Sequence, residues 1–129
     1  MKLKFTYLLI AFFSVTFFAN AQTTTDPVID ISTKSDLVQS ANGQATISFI
    51  LNATQLQVTS IETKAREFSM VTDFQSFSSG QDKYRVNILL STEADISLAN
   101  KILSHCGIKY FVYQGETIEM DKLRYKVTD

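Results

Sequence analysis

The stretch Tyr84–Tyr113 constrains the fold more than any other, because three local signals follow one another in it without interruption. In Tyr84-Arg85-Val86-Asn87-Ile88-Leu89-Leu90 the even positions are apolar and the odd ones mostly polar, the period of two that marks a strand with one buried face. Thr92-Glu93-Ala94-Asp95 then offers a hydroxyl N-cap with acids in the first turn, where free N–H groups and the helix dipole favour oxygen and negative charge. Leu98, Ala99, Ile102, Leu103 and Cys106 recur at helical spacing, and Gly107 suits the left-handed residue that closes a last turn. Ile108–Tyr113 is β-branched and aromatic, so the window predicts strand, helix, strand.

An earlier window repeats that order. Ala45–Leu51 alternates, with Ile47, Phe49 and Leu51 on one face and Thr46 and Ser48 on the other. Thr54-Gln55-Leu56-Gln57 has capping-box spacing, and Val58, Ile61, Ala65 and Phe68 continue as an apolar helical stripe with Glu62, Lys64 and Arg66 turned to water. Val71–Phe77 returns to strand character, and the cluster Ser78-Ser79-Gly80-Gln81-Asp82 turns it into Lys83–Leu90 as an antiparallel hairpin. The predicted order is β-α-β-β-α-β. Two split βαβ units of this kind give an α+β, ferredoxin-like sandwich, an antiparallel sheet with two helices on one face.

The flanks are less regular. Residues 22–43 read as a flexible lead-in with Val28–Ile31 as a possible edge strand, and Asn42-Gly43 suits a tight hairpin turn into the strand that follows. Residues 44–129 make the single domain. After the Gln114-Gly115 turn, Thr117–Val127 is expected to supply one or two short extra terminal strands, with the alternating Leu123, Tyr125 and Val127 extending a sheet edge.

Residues 1–21 have the grammar of a secretory signal peptide: Lys2 and Lys4, an apolar run from Phe5 to Phe18, then Ala19-Asn20-Ala21 as a small-x-small cleavage site. The expected product is exported, periplasmic or extracellular, begins at Gln22 and keeps no membrane anchor. The full chain has 12 Lys+Arg against 13 Asp+Glu. Cleavage would remove two lysines and no acid, leaving a mildly acidic protein without the clustered positive charge that nucleic acid requires. With one cysteine, Cys106, no intrachain disulfide forms, and stability rests on packing.

Residues able to carry chemistry are few. His105-Cys106 offers an imidazole and a thiol for a soft metal, but neighbours on a helix diverge by about 100°, and Cys106 falls on the apolar stripe as a small buried hydrophobe does. Closed zinc sites take four ligands, and the chain has one histidine and one cysteine. Glu116, Glu119 and Asp121 are candidate carboxylates for a weak calcium site, Tyr110, Phe111 and Tyr113 a candidate binding patch, and Asn52-Ala53-Thr54 a glycosylation sequon. Neither a nucleophile elbow nor a glycine-rich phosphate loop is present, so no catalytic residue and no cofactor is assigned.

In helix placement, hairpin position and length, residues from about Ala45 to Tyr113 resemble a heavy-metal-associated domain. That family carries Met-x-Cys-x-x-Cys between its first strand and first helix, where two thiolates bind a soft ion such as copper(I). Asn52, Thr54 and Gln57 stand where the methionine and cysteines would be, so the thiolates are absent. The resemblance implies the ferredoxin-like fold without the metal site. The function expected is therefore a non-catalytic adaptor that binds a protein or peptide through its sheet face or a strand edge. Two alternatives stand beside it: metal handling through Cys106 across a dimer, and inhibition in the manner of a peptidase propeptide.

Overall fold

The computed structural model describes residues 25–127; residues 1–21, expected from the sequence to be a signal peptide, lie outside the described residues. Strand β1 (Val28–Ile31) leads through a short helix, α1 (Lys34–Leu37), into β2 (Val38–Ala41) and β3 (Gln44–Asn52). Helix α2 (Gln55–Ala65), the hairpin β4 (Val71–Gly80) and β5 (Lys83–Leu90), and helix α3 (Ile96–His105) follow. The chain closes with β6 (Tyr110–Tyr113), β7 (Glu116–Glu119), a 3-10 turn (Met120–Lys122) and α4 (Leu123–Lys126).

Turns and caps follow from residue type. Asn42 and Gly43 take φ of 56° and 78°, and Gln114 and Gly115 take 53° and 81°, the left-handed pair that joins twisted strands through two residues. At the start of α2, Thr54 accepts from the Gln57 N–H at 3.2 Å while Gln57 Oε1 accepts from the Thr54 N–H at 2.9 Å, closing the capping box. At the end of α3, Gly107 at φ 87° lets the Ile108 N–H reach Leu103 O and its own N–H reach Ser104 O, a Schellman closure.

One sheet of seven strands runs β4-β5-β3-β1-β6-β7, with β2 also beside β3. Val58, Ile61 and Ala65 from α2 and Ala99, Ile102, Leu103 and Cys106 from α3 bury against Ile47, Phe49, Leu51, Val86, Ile88 and Phe111, so both helices cover one face in a single core. The architecture is mixed α/β with an open sheet.

Strand order and count depart from the ferredoxin-like sheet. There β3 and β6, the first and last strands of the β-α-β-β-α-β series, would be neighbours; here β1 lies between them, antiparallel to β3 and parallel to β6. The sheet is therefore mixed, and the lead-in supplies an interior strand where the sequence predicts an edge strand. Val-Ile-Asp-Ile is short, but its Ile29 and Ile31 bury on the covered face and both its sides are hydrogen-bonded, which offsets the ordering entropy that composition alone emphasises.

Two other expectations change. Helix α3 is capped by Asp95, whose Oδ1 accepts from the Leu98 N–H at 2.9 Å, and Thr92 stays in the loop. That loop first crosses the end of the sheet, where Ser91 N–H donates to Met70 O and the Ser40 hydroxyl bonds both Ala94 O and Ala94 N–H. The alternation Leu123, Tyr125, Val127 is not a strand: Met120, Leu123 and Val127 bury while Tyr125 is exposed. Spacings of three and four turn one helical side of this segment towards α3.

Candidate functional site

Cys106 is buried in the core, and that burial, with the nearby Glu67 carboxylate adding to it and Lys64 opposing it, pushes the thiol up to about 12. His105 points elsewhere, with Nε2 2.8 Å from Glu67 Oε1 and its ring edge-on to Phe68 at 5.0 Å. The structure does not bring the two side chains to one point. Among the described residues no group of three or more His, Cys, Asp or Glu side chains is placed to hold a metal ion.

The positions that the sequence resemblance would place at a metal-binding loop make structural bonds. Thr54 and Gln57 form the capping box, and Asn52 Nδ2 donates to Asp30 Oδ2 at 3.2 Å and Val28 O at 3.3 Å. Phe111 is fully buried, and Tyr113 packs on the core, while Tyr110 sits on the opposite face beside Val28, which divides the aromatic patch. Glu116, Glu119 and Asp121 are all exposed along β7 and the turn after it.

A site that sequence does not single out lies along β4. Among the described residues this strand pairs only with β5. Ladder parity follows from the Ala41/Gln44 pair that closes a two-residue turn: counted across β3 and β5, it assigns the bonds to β5 to Asp73, Gln75 and Phe77. Phe74, Ser76 and Ser78 therefore direct their N–H and C=O outward. The Phe74 N–H agrees with this parity, donating to Asp73 Oδ1 at 2.8 Å.

Asp73 is held below its ordinary value of 3.8 by the Gln75 side-chain hydrogen bond, then by the Phe74 N–H, with Arg66 Nη2 3.5 Å away adding to both. It blocks one end of the edge. Beyond it Ser76 and Ser78 present open donors and acceptors, and Phe77, 54% exposed, stands beside Arg85 on the uncovered face. Register shifts bracket this stretch at Val71/Asp73 and Ser78/Gly80, so the flat segment is short. A signal is present in the sequence, since Gln75 to Ser79 holds no charge, but an edge is defined by strand order and local pattern does not reveal that.

Geometrically this is a mixed α/β domain with a one-sided helical layer and, at β4, a long exposed sheet edge. No known protein family, characterised protein or solved structure matches the chain. No described helix is long and apolar enough to cross a membrane.

Proposed function

We propose that the protein is an exported, non-catalytic binding module that takes an extended segment of a partner protein or peptide along the free side of β4. The observation that carries this reading is the outward set of backbone groups at Ser76 and Ser78 next to exposed Phe77. Strand addition needs such a row and a side-chain contact beside it. Four hydrogen bonds at about 1 kcal/mol each correspond to a complex in the millimolar range. An apolar residue of the partner laid on Phe77 adds about 1–2 kcal/mol and brings the dissociation constant to about 0.1 mM. Binding of this strength is transient, as an adaptor requires.

Export rests on the pattern of residues 1–21, and the absence of a chemical role rests on the groups present. The one thiol is held protonated in the core, and the one imidazole is engaged with Glu67.

The test is selection of random ten-residue peptides on the immobilised protein, followed by titration of the selected peptide into wild type and Ser76→Pro. Proline removes an outward N–H and leaves the β4–β5 ladder intact. Binding about tenfold weaker in Ser76→Pro with an unchanged melting curve supports strand addition. Full binding by Ser76→Pro sinks it.

A further inference from the structure

The lane beside β3 is broken. Strand β1 covers Ile50–Asn52 and β2 covers Gln44–Ile47, so on that side Ser48 and Phe49 have no strand residue opposite them among the described residues. At that point the chain leaves the sheet to make α1, whose N-cap Thr33 accepts from the Asp36 N–H at 3.1 Å. The parity that fixes the β4 edge also aims the Ser48 backbone groups into this break. A cavity of about 380 Å³ fills it, lined on its polar side by Asp30, Ser32, Asp36, Gln39, Ser48 and Arg85.

Charges of both signs meet there. Asp30 and Arg85 flank Ile50 in one cross-strand row, two strand spacings or about 10 Å apart at their Cα atoms. No ion pair joins them, and Arg85 has no hydrogen bond among the described residues. Asp30 commits Oδ2 to Asn52 and keeps Oδ1. The Ser48 hydroxyl is turned to Asn87 Oδ1 at 2.8 Å, which leaves the Ser48 main chain as the hydrogen-bonding group on that wall.

We propose that this break is a binding site for a small zwitterion, an α-amino acid or a compound of like charge pattern, with its carboxylate on Arg85 and its ammonium on Asp30 and Asp36. Charge selects the class. A lone anion would meet two carboxylates and a lone cation would meet a guanidinium, whereas a zwitterion pairs with both. The volume is at the small end of ligand cavities, and Leu37, Phe49 and Ile50 give it apolar walls. Because the charged groups reach solvent, the affinity is modest, with a dissociation constant of about 0.1–10 mM.

The break lies beside β3, two strands from β4, and the two sites approach each other only at Arg85, opposite Phe77, so a titration of the selected β4 peptide into Arg85→Gln keeps the two failures distinguishable. The experiment is a chemical-shift titration of the purified protein with glycine and L-leucine, and with acetate and ethanolamine as single-charge probes, in wild type, Arg85→Gln and Asp30→Asn. Expected are shifts at Ser48–Ile50 with an amino acid only, and binding about tenfold or more weaker in Arg85→Gln. Asp30→Asn disturbs a bond to Asn52, so Arg85→Gln, on an exposed side chain, is the deciding variant if the other is less stable. No shift with about 50 mM amino acid, an equal response to acetate or ethanolamine, or unchanged binding in Arg85→Gln overturns the proposal.

Discussion

The two strands that end the path β4-β5-β3-β1-β6-β7 are built to opposite rules. Strand β7 is four residues long, with glutamate at each end, and the chain leaves it at once into a turn and helix whose Met120 and Leu123 bury in the core. Strand β4 is ten residues long, carries one charge, Asp73, and exposes its last five positions. Short length, charge and a covering segment are the usual guards of a strand edge. The β7 edge is short and charged; the β4 edge has a carboxylate at one end and a register shift at each side.

The largest expected effect separates the edges by stability. Leu123→Ala removes a fully buried side chain behind the guarded edge and is expected to cost about 2–5 kcal/mol by denaturant unfolding. Phe77→Ala, on a half-exposed side chain at the open edge, is expected to cost under about 1 kcal/mol. Similar losses at both sites would break the comparison, because β4 would then be held as firmly as β7.

A smaller effect separates them by binding. Ladder parity at the Gln114-Gly115 turn directs the Thr117 N–H outward just as Ser76 is directed outward on β4. Thr117→Pro should leave affinity for the selected peptide unchanged, whereas Ser76→Pro should lower it by about tenfold. Equal losses would mean that the peptide does not distinguish the edges.

The smallest effect is a pH dependence at the open edge. The Asp73 carboxyl is lowered in the folded state, so its stabilising contribution is present above the unfolded value of 3.8 and is lost as pH falls through the lower folded value. Asp73→Asn should lower stability slightly at neutral pH, where the contribution is present, and flatten that part of the acid limb. An acid limb of unchanged slope in Asp73→Asn would show that the carboxylate is not held there.

Local structure is legible in the sequence and neighbourhood is not. The capping box at Thr54, the Gly107 closure and the Asn42-Gly43 turn are each decided within a few residues, and the sequence displays those residues directly. The place of β1 depends on partners distant in sequence, Leu51 and Phe111 on either side of Ile29, and no local pattern encodes it. Leu123 and Val127 are four apart, a spacing that fits a strand face and a helix side alike, so the strand period predicts the wrong element for the C-terminal segment. Thr92 and Asp95 are both good caps; the bonds of the loop to Met70 and Ser40 chose the later one. The candidate sites obey the same rule. Phe77, Ser76 and the Asp30–Arg85 row are ordinary strand residues until strand order makes one set an edge and the other the rim of a break.

Amide hydrogen exchange along β4, residue by residue, with and without the selected peptide, tests the edge most directly. In the free protein Gln75 and Phe77 should be protected by β5, with Ser76 and Ser78 exchanging fast and Phe74 between them because of Asp73. On saturation with peptide, Ser76 and Ser78 should slow to the level of their neighbours while Thr117 on β7 stays unchanged. Protection that appears on β7 or the helices instead, with Ser76 and Ser78 still fast, would contradict strand addition at β4.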